Sequence, residues 1–500
     1  MFKAIVISSL IVSGGLLLGR CSGFLREILL ASVYGVSSGA DVAILMLTLP
    51  DLLLSLLVGG AIGASLIPQF ERKPQQARAL CYQVSLLLLL LFTTVSAGVF
   101  LLAGPVVTLL APGFEAGQLQ NAIEAVRYII PLLPLTVLCG VTTAYLHAQN
   151  KFLLPSLGTL IFNGCVISGL IFMQFDKSHS FALLAGFALL GAGIRYLSQL
   201  IQLRPSWTPL LSLKTWLPDR SLLHRYLQAM FSTSLLLLLP VIGRAFASYQ
   251  GEGSVALFNY ASKLVEFPLL IAVSFLSIVL FPRLAASYQE DSVLHAKLIK
   301  YGLQATLVLA VLISALLGAM SLDYTNLVFG WSLSSQDVVQ IAHLCAIALS
   351  GFVFQALALF LSAIFNARGE THKPMLINGF GTLCLLLAFT VFADKLTMSS
   401  ILWMMVTAYA LIACLLLLAV NIESFHWSML TQEPGFWGVL FLCAACGYGL
   451  ISWWGKFSIH SGWLLLLGMS VGGLCLIAVG WAHPEFRTRL RAYWRGYGRV

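Results

Sequence analysis

Apolar runs of about twenty residues follow one another along almost the whole chain, parted by short polar breaks. A helix crossing the hydrocarbon core of a bilayer needs roughly 20 apolar residues, and with its connection takes about 35. The runs place helices near 4–32, 41–66, 80–103, 122–147, 152–173 and 180–203. A second set follows near 223–248, 254–281, 294–319, 338–366, 373–393 and 399–421, and two more lie near 434–454 and 461–482. That makes roughly fourteen spans for 500 residues. Only 9% of the residues are charged, where a soluble domain carries about 25%. The mean hydropathy is +0.93. Such a surface must face lipid, where every backbone polar group has to be satisfied within its own segment. The sequence therefore predicts an all-α polytopic membrane protein.

The net charge of +9 does not point to nucleic acid. Much of it lies in Arg487, Arg489, Arg491, Arg495 and Arg499, interleaved with Tyr493, Trp494 and Tyr497. A basic, aromatic tail just after a last span is what anionic membrane lipids attract. The first residues imitate a signal peptide ending at Cys21, but Arg20 stands where cleavage needs a small residue, so an uncleaved first span is expected. Cys443 and Cys446 have CxxC spacing inside an apolar run with no second pair nearby, so we read them as small apolar filler and expect no metal site there.

Basic residues orient the bundle. Arg72, Lys73 and Arg78, then Lys151, then Arg204, Lys214 and Arg220, then Arg283, Lys297 and Lys300, then Arg368 and Lys373 fall in alternate connections. The opposite connections hold little beyond Lys177, Lys395 and Lys456. This asymmetry predicts both termini in the cytoplasm.

The two sets of six spans resemble each other. Ser65–Phe70 (SLIPQF) matches Val279–Leu284 (VLFPRL), and Gly39-Ala40-Asp41-Val42 matches Gly253-Ser254-Val255-Ala256 at the same offset. Thr143–Pro155 matches Ser362–Pro374 with both alanines and the last proline in register. An even repeat enters the membrane twice in the same sense, and parallel repeats of this kind rock about a central site. The expected organisation is a six-helix lobe over 1–212, a second over 213–425, and two further helices with the basic tail over 426–500.

Ionisable groups inside spans are costly, and each marks a candidate site. Arg20, Arg26 and Glu27 share the first helix with Gly14, Gly15, Gly19 and Gly23. Arg20 and Glu27 lie on one face, with Arg26 about 120° round from Arg20. The second helix carries Asp41 and, directly after Pro50, Asp51; the eighth carries Lys263 and Glu266, three apart. A guanidinium stays charged anywhere and grips a diphosphate bidentately. Each group also has a plainer reading. Arg20 and Arg26 could snorkel or pair with Glu27, and Lys263 could pair with Glu266. Asp41 could start a helix, and Asp51 could cap one after Pro50. For Arg127, Arg195 and Arg244 snorkelling to span ends is the expectation. No nucleophile with its base, metal cluster or phosphate loop accompanies these groups in the sequence, so transport is expected and catalysis is not.

On these residues the chain resembles the MurJ/MviN family, the lipid II flippases of the multidrug/oligosaccharidyl-lipid/polysaccharide exporter superfamily. Gly19–Leu53, Gly59–Phe70, Asn259–Pro268 and Phe365–Pro374 carry the likeness. The resemblance implies two six-helix lobes around a cationic cavity, with the last two helices adding a groove for a lipid tail. It implies alternating access linked to the membrane potential or an ion gradient, in a bacterial inner membrane, with no bound cofactor and no need of an oligomer. Arg20, Arg26 and Asp41 fall on the family's cavity positions, and Lys263 stands where the family usually has arginine. Leu54 and Ser55 stand where it usually has an arginine pair. The implied cargo is an undecaprenyl-diphosphate-linked peptidoglycan precursor. A carrier of exopolysaccharide or capsule units would keep the diphosphate grip and change the sugar contacts, and a drug/ion antiporter would show acidic cavity groups. A glycosyltransferase or ligase would need a carboxylate base or a large external loop.

Overall fold

The computed structural model describes residues 2–57, 61–72, 74–176, 179–203, 235–423, 434–454 and 461–482. The basic tail, the connection 204–222 with its three basic residues, Lys177 and Lys456 lie outside the described residues, as do the side chains of Leu54 and Ser55. In order the helices are α1 (Phe2–Tyr34), α2 (Ser38–Leu57), α3 (Ala61–Arg72), α4 (Pro74–Leu101), α5 (Ala103–Leu110), α6 (Ala116–Ile129), α7 (Leu132–Ala148), α8 (Leu153–Asp176) and α9 (Phe181–Leu203). Then come α10 (Leu235–Gln250), α11 (Ser254–Glu290), α12 (Ser292–Ala319), α13 (Ser321–Phe329), α14 (Ser335–Ser350), α15 (Phe352–Ala367) and α16 (His372–Val391). The last are α17 (Met398–Glu423), α18 (Pro434–Trp454) and α19 (Ser461–Ala482).

Among the described residues nine helices are long and apolar enough to cross a membrane, or up to eleven with the bent pairs α6–α7 and α14–α15. With α1, α2–α3 and α10 these fill the fourteen positions expected from the apolar runs. Large side chains such as Leu101, Leu109, Phe175 and Ile201 stand exposed on their outer faces, which only a lipid environment makes favourable.

The element order repeats. A 28-residue helix (α4, α12) leads into a short one (α5, α13) and then into a bent pair. The pairs bend by 40° and 48°. Pro131 precedes α7 at the first bend and Gly351 precedes α15 at the second, residue types that interrupt a helical ladder.

By compactness the chain divides into one unit over Met1–Lys263 and Thr371–Ile401, and another over Leu264–Glu370 and Leu402–Val500. In the first, α1 packs on α8 through a row of glycines. A Cβ on Gly15 would stand 2.5 Å from Ser156 Cβ, one on Gly19 would stand 3.0 Å from Thr159 Cβ, and Gly23 faces Asn163. The four-residue spacing is the small-residue seam by which membrane helices approach closely. Phe70, Cys81, Val141 and Tyr145 form a second contact layer between α3, α4 and α7. In the second unit Gly302 of α12 receives the ring of Phe360, and Leu312, Phe436, Leu440 and Val479 join α12 to α18 and α19.

Candidate functional site: a cationic cavity beside α1 and α8

The α1–α8 seam fixes the site. Asn163, opposite Gly23, donates through Nδ2 to Gly19 O at 3.2 Å and to Ser22 Oγ at 3.0 Å. Its Oδ1 accepts from Arg26 Nη1 at 3.3 Å. Arg26 Nη2 lies 2.8 Å from Glu27 Oε1, and both side chains are about one-tenth exposed. Glu27 Oε2 accepts from Asn259 Nδ2 at 3.1 Å. Arg26 Nε is buried without a hydrogen-bond partner. The plain reading of Arg26 as the partner of Glu27 therefore holds, and it does not exhaust the residue.

Arg26 also lines a cavity of about 450 Å³ together with Asp51, Thr136, Thr159, Asn163 and Arg195. Asp51 stands exposed at this wall. Arg26, Lys263 and Arg244 all lie within its electrostatic reach, and Lys263 also reaches Glu27. α2 runs through Pro50 without a break, so no helix begins at Asp51 and it caps nothing there. Arg20 is half-buried on α1 and is not part of this cavity wall. Glu266 belongs to the second unit, near Tyr409 of α17.

Asp41 does something different from the cavity role the resemblance implies. It is fully buried. Its Oδ2 accepts from the backbone N–H of Gly253 at 2.8 Å and from Gln118 Nε2 at 3.1 Å, and its Oδ1 from the backbone N–H of Ala256 at 2.7 Å. These two amides open α11, so Asp41 is a helix cap supplied from α2. It ties together the two segments that the repeat relates, Gly39–Val42 and Gly253–Ala256. Tyr260 Oη, donating to Gly35 O at 3.0 Å, holds the same junction.

Sequence reasoning missed Arg195 and Arg244. Both were expected to snorkel, yet Arg195 lines the cavity and Arg244 lines a small neighbouring one with Thr48 and Leu52. One signal was present for Arg195: it sits eight residues before the end of α9, about 12 Å from it. Arg127 is exposed and stands over the Phe100 ring.

Among its lining residues the cavity carries two guanidiniums, Arg26 and Arg195, and one carboxylate, Asp51. Residues 30–468 match the family model of lipid II flippase MurJ. The chain belongs to that family. As a MurJ family member it is 27% identical over 395 residues to the lipid II flippase MurJ of Burkholderia cenocepacia, covering 75% of each chain. The MurJ match also runs well beyond residue 375, where the likeness read from sequence motifs ends. Among solved structures, a lipid II flippase MurJ in its inward closed conformation superposes with a TM-score of 0.76 at 17% identity, covering 96% of this chain and 100% of that one. An inward-facing multidrug resistance MATE family transporter of the MOP superfamily superposes with a TM-score of 0.68 at 15% identity, covering 83% and 96%. These two likenesses concern the fold.

Proposed function

We propose that the protein flips lipid II, the undecaprenyl-diphosphate-linked peptidoglycan precursor, from the cytoplasmic to the periplasmic leaflet by alternating access. The observation that carries the reading is Arg26, a guanidinium held by Glu27 and Asn163 at the wall of the cavity in a chain of the MurJ family. A diphosphate leaving the headgroup region loses hydration worth many kcal/mol. Cations set in a protein cavity replace part of that hydration, more strongly than they would in water. Arg26 and Arg195 line the cavity against the single carboxylate of Asp51, a balance that favours an anionic cargo.

The protein would lie in a bacterial inner membrane with both termini cytoplasmic, as the basic connections suggest, and the basic tail would rest on anionic lipid. Return of the emptied carrier would draw on the membrane potential or an ion gradient, since a cationic cavity is itself a mobile charge.

The test is depletion of a host's own lipid II flippase while this protein is expressed. Growth with normal cell shape supports lipid II. Lysis despite good expression, with rescue by Leu54→Arg and Lys263→Arg together, would assign the scaffold to a different polyprenyl-linked glycan. Reporter fusions at residues 75, 212 and 490 should read cytoplasmic, and those near 37, 113 and 328 periplasmic.

A further inference from the structure

The cavity that Arg26 lines carries a second guanidinium. Arg195 of α9 is half-buried, and among the described residues it is paired with no carboxylate. Its Nε is buried and has no hydrogen-bond partner. An arginine kept in this state inside a membrane protein is expensive, and residues of this kind mark ligand paths. The helix opposite makes room for it. Gly158 of α8 lies so close that a Cβ there would stand 2.7 Å from Arg195 Nε and 3.3 Å from Cδ and Cγ. The glycine thus leaves space for a charged side chain, where elsewhere on α8 the glycine Gly169 receives a phenylalanine ring.

α8 also acts as a ruler. Asn163 holds Arg26, and Gly158 faces Arg195. Five residues of helix separate the two positions by about 7.5 Å along the axis. Thr159 lines the cavity as well and can donate a hydroxyl hydrogen bond, while the Thr136 hydroxyl, also in the lining, donates to Leu132 O at 2.9 Å and has only its lone pairs to offer. Two guanidiniums lining one cavity against neighbouring turns of α8, with a hydroxyl nearby, suit two linked phosphate groups better than a single carboxylate, because each fork takes one phosphate bidentately.

We propose that Arg195 is the second ligand of the cargo's diphosphate, so that Arg26 and Arg195 grip one phosphate each within the cavity between α1, α8 and α9. The inference rests on the reading of the protein as a carrier of a diphosphate-linked lipid. On the orientation proposed above Arg195 lies toward the cytoplasmic end of α9, and the diphosphate meets it before it reaches Arg26.

The experiment measures binding of undecaprenyl diphosphate, with undecaprenol as the uncharged control, to the purified full-length protein in nanodiscs. Arg195→Gln should weaken the diphosphate lipid about 10- to 100-fold and leave undecaprenol unchanged. Arg195→Lys should recover part of the loss, since an ammonium keeps the charge and loses the fork. Gly158→Ala keeps every charge and pushes the guanidinium aside, and should cost several-fold for the diphosphate lipid alone. Equal binding by wild type and Arg195→Gln overturns the proposal, and so does a loss that extends equally to undecaprenol. If Arg195→Gln is not obtained folded, Gly158→Ala decides: wild-type affinity for the diphosphate lipid overturns the proposal, and a selective loss supports it. The growth test separates this result from the lipid II reading. Diphosphate binding through Arg195 in a protein that fails to support growth removes lipid II as cargo and leaves the two-arginine grip standing.

Discussion

Asp41 and Asp51 lie on the same helix, ten residues and about 15 Å apart. Asp41 is sealed from solvent, and three donors satisfy its carboxylate. Asp51 stands at an open cavity wall among cations and, among the described residues, receives no hydrogen bond. A buried carboxylate is tolerated only when its lone pairs are filled, and filling them makes it part of the framework. The resemblance implies a cavity position for Asp41; here Asp41 caps α11 and it is Asp51 that lines the cavity.

The strongest test of this contrast is on the cation that Asp51 faces. Arg26→Ala should lower transport about 100-fold or more, because the diphosphate loses a fork. It should also destabilise the protein by about 3 kcal/mol, since Glu27 is left buried without its charge partner. Arg26→Ala combined with Glu27→Gln should regain the stability and none of the transport, as read by thermal melting in detergent alongside flipping assays. Recovery of both would make the ion pair purely structural and remove Arg26 from the site.

Asp41→Ala comes next. It strands two buried backbone amides at the start of α11, and should cost roughly 2–4 kcal/mol in unfolding. Any transport loss should then track the amount of folded protein. An unchanged melting temperature with abolished flipping would move Asp41 back into the cavity.

Gly253→Ala probes the same junction from the other side. Gly253 has φ +78°, and a Cβ would stand 2.7 Å from Val36 Cγ1. The backbone strain and the overlap together should cost about 1–3 kcal/mol. The smallest effect is expected for Asp51→Asn. Stability should stay within about 0.5 kcal/mol of wild type. With one negative charge removed from a cation cluster, diphosphate affinity should rise by up to about tenfold. A stability loss as large as that of Asp41→Ala would erase the contrast between the two aspartates.

How far the site was legible can be traced residue by residue. Arg26 could be read from sequence, because an ionisable residue inside an apolar span is costly and its glycine-rich helix implied close neighbours. The purpose of those glycines could not: they seat α1 on Ser156, Thr159 and Asn163 of a helix more than a hundred residues away. In one dimension Arg195 differs from Arg127 only in its distance from its helix end, eight residues against two. That it lines a cavity, with Gly158 making room for it, depends on a helix the sequence does not place beside it. The same limit explains Asp41, whose partners Gly253 and Ala256 lie 212 and 215 residues along the chain.

The sequence by itself determined that this chain is a bundle of membrane helices and where those helices run. Hydrophobic run length, glycine and proline placement and charge scarcity are local properties, and lipid enforces them on every segment separately. Tertiary structure alone decided which charges meet. Helical periodicity gives each residue a face but not the neighbour opposite that face. Burial, pairing and access to a cavity all depend on that neighbour, so two aspartates of one helix became a cap and a cavity wall.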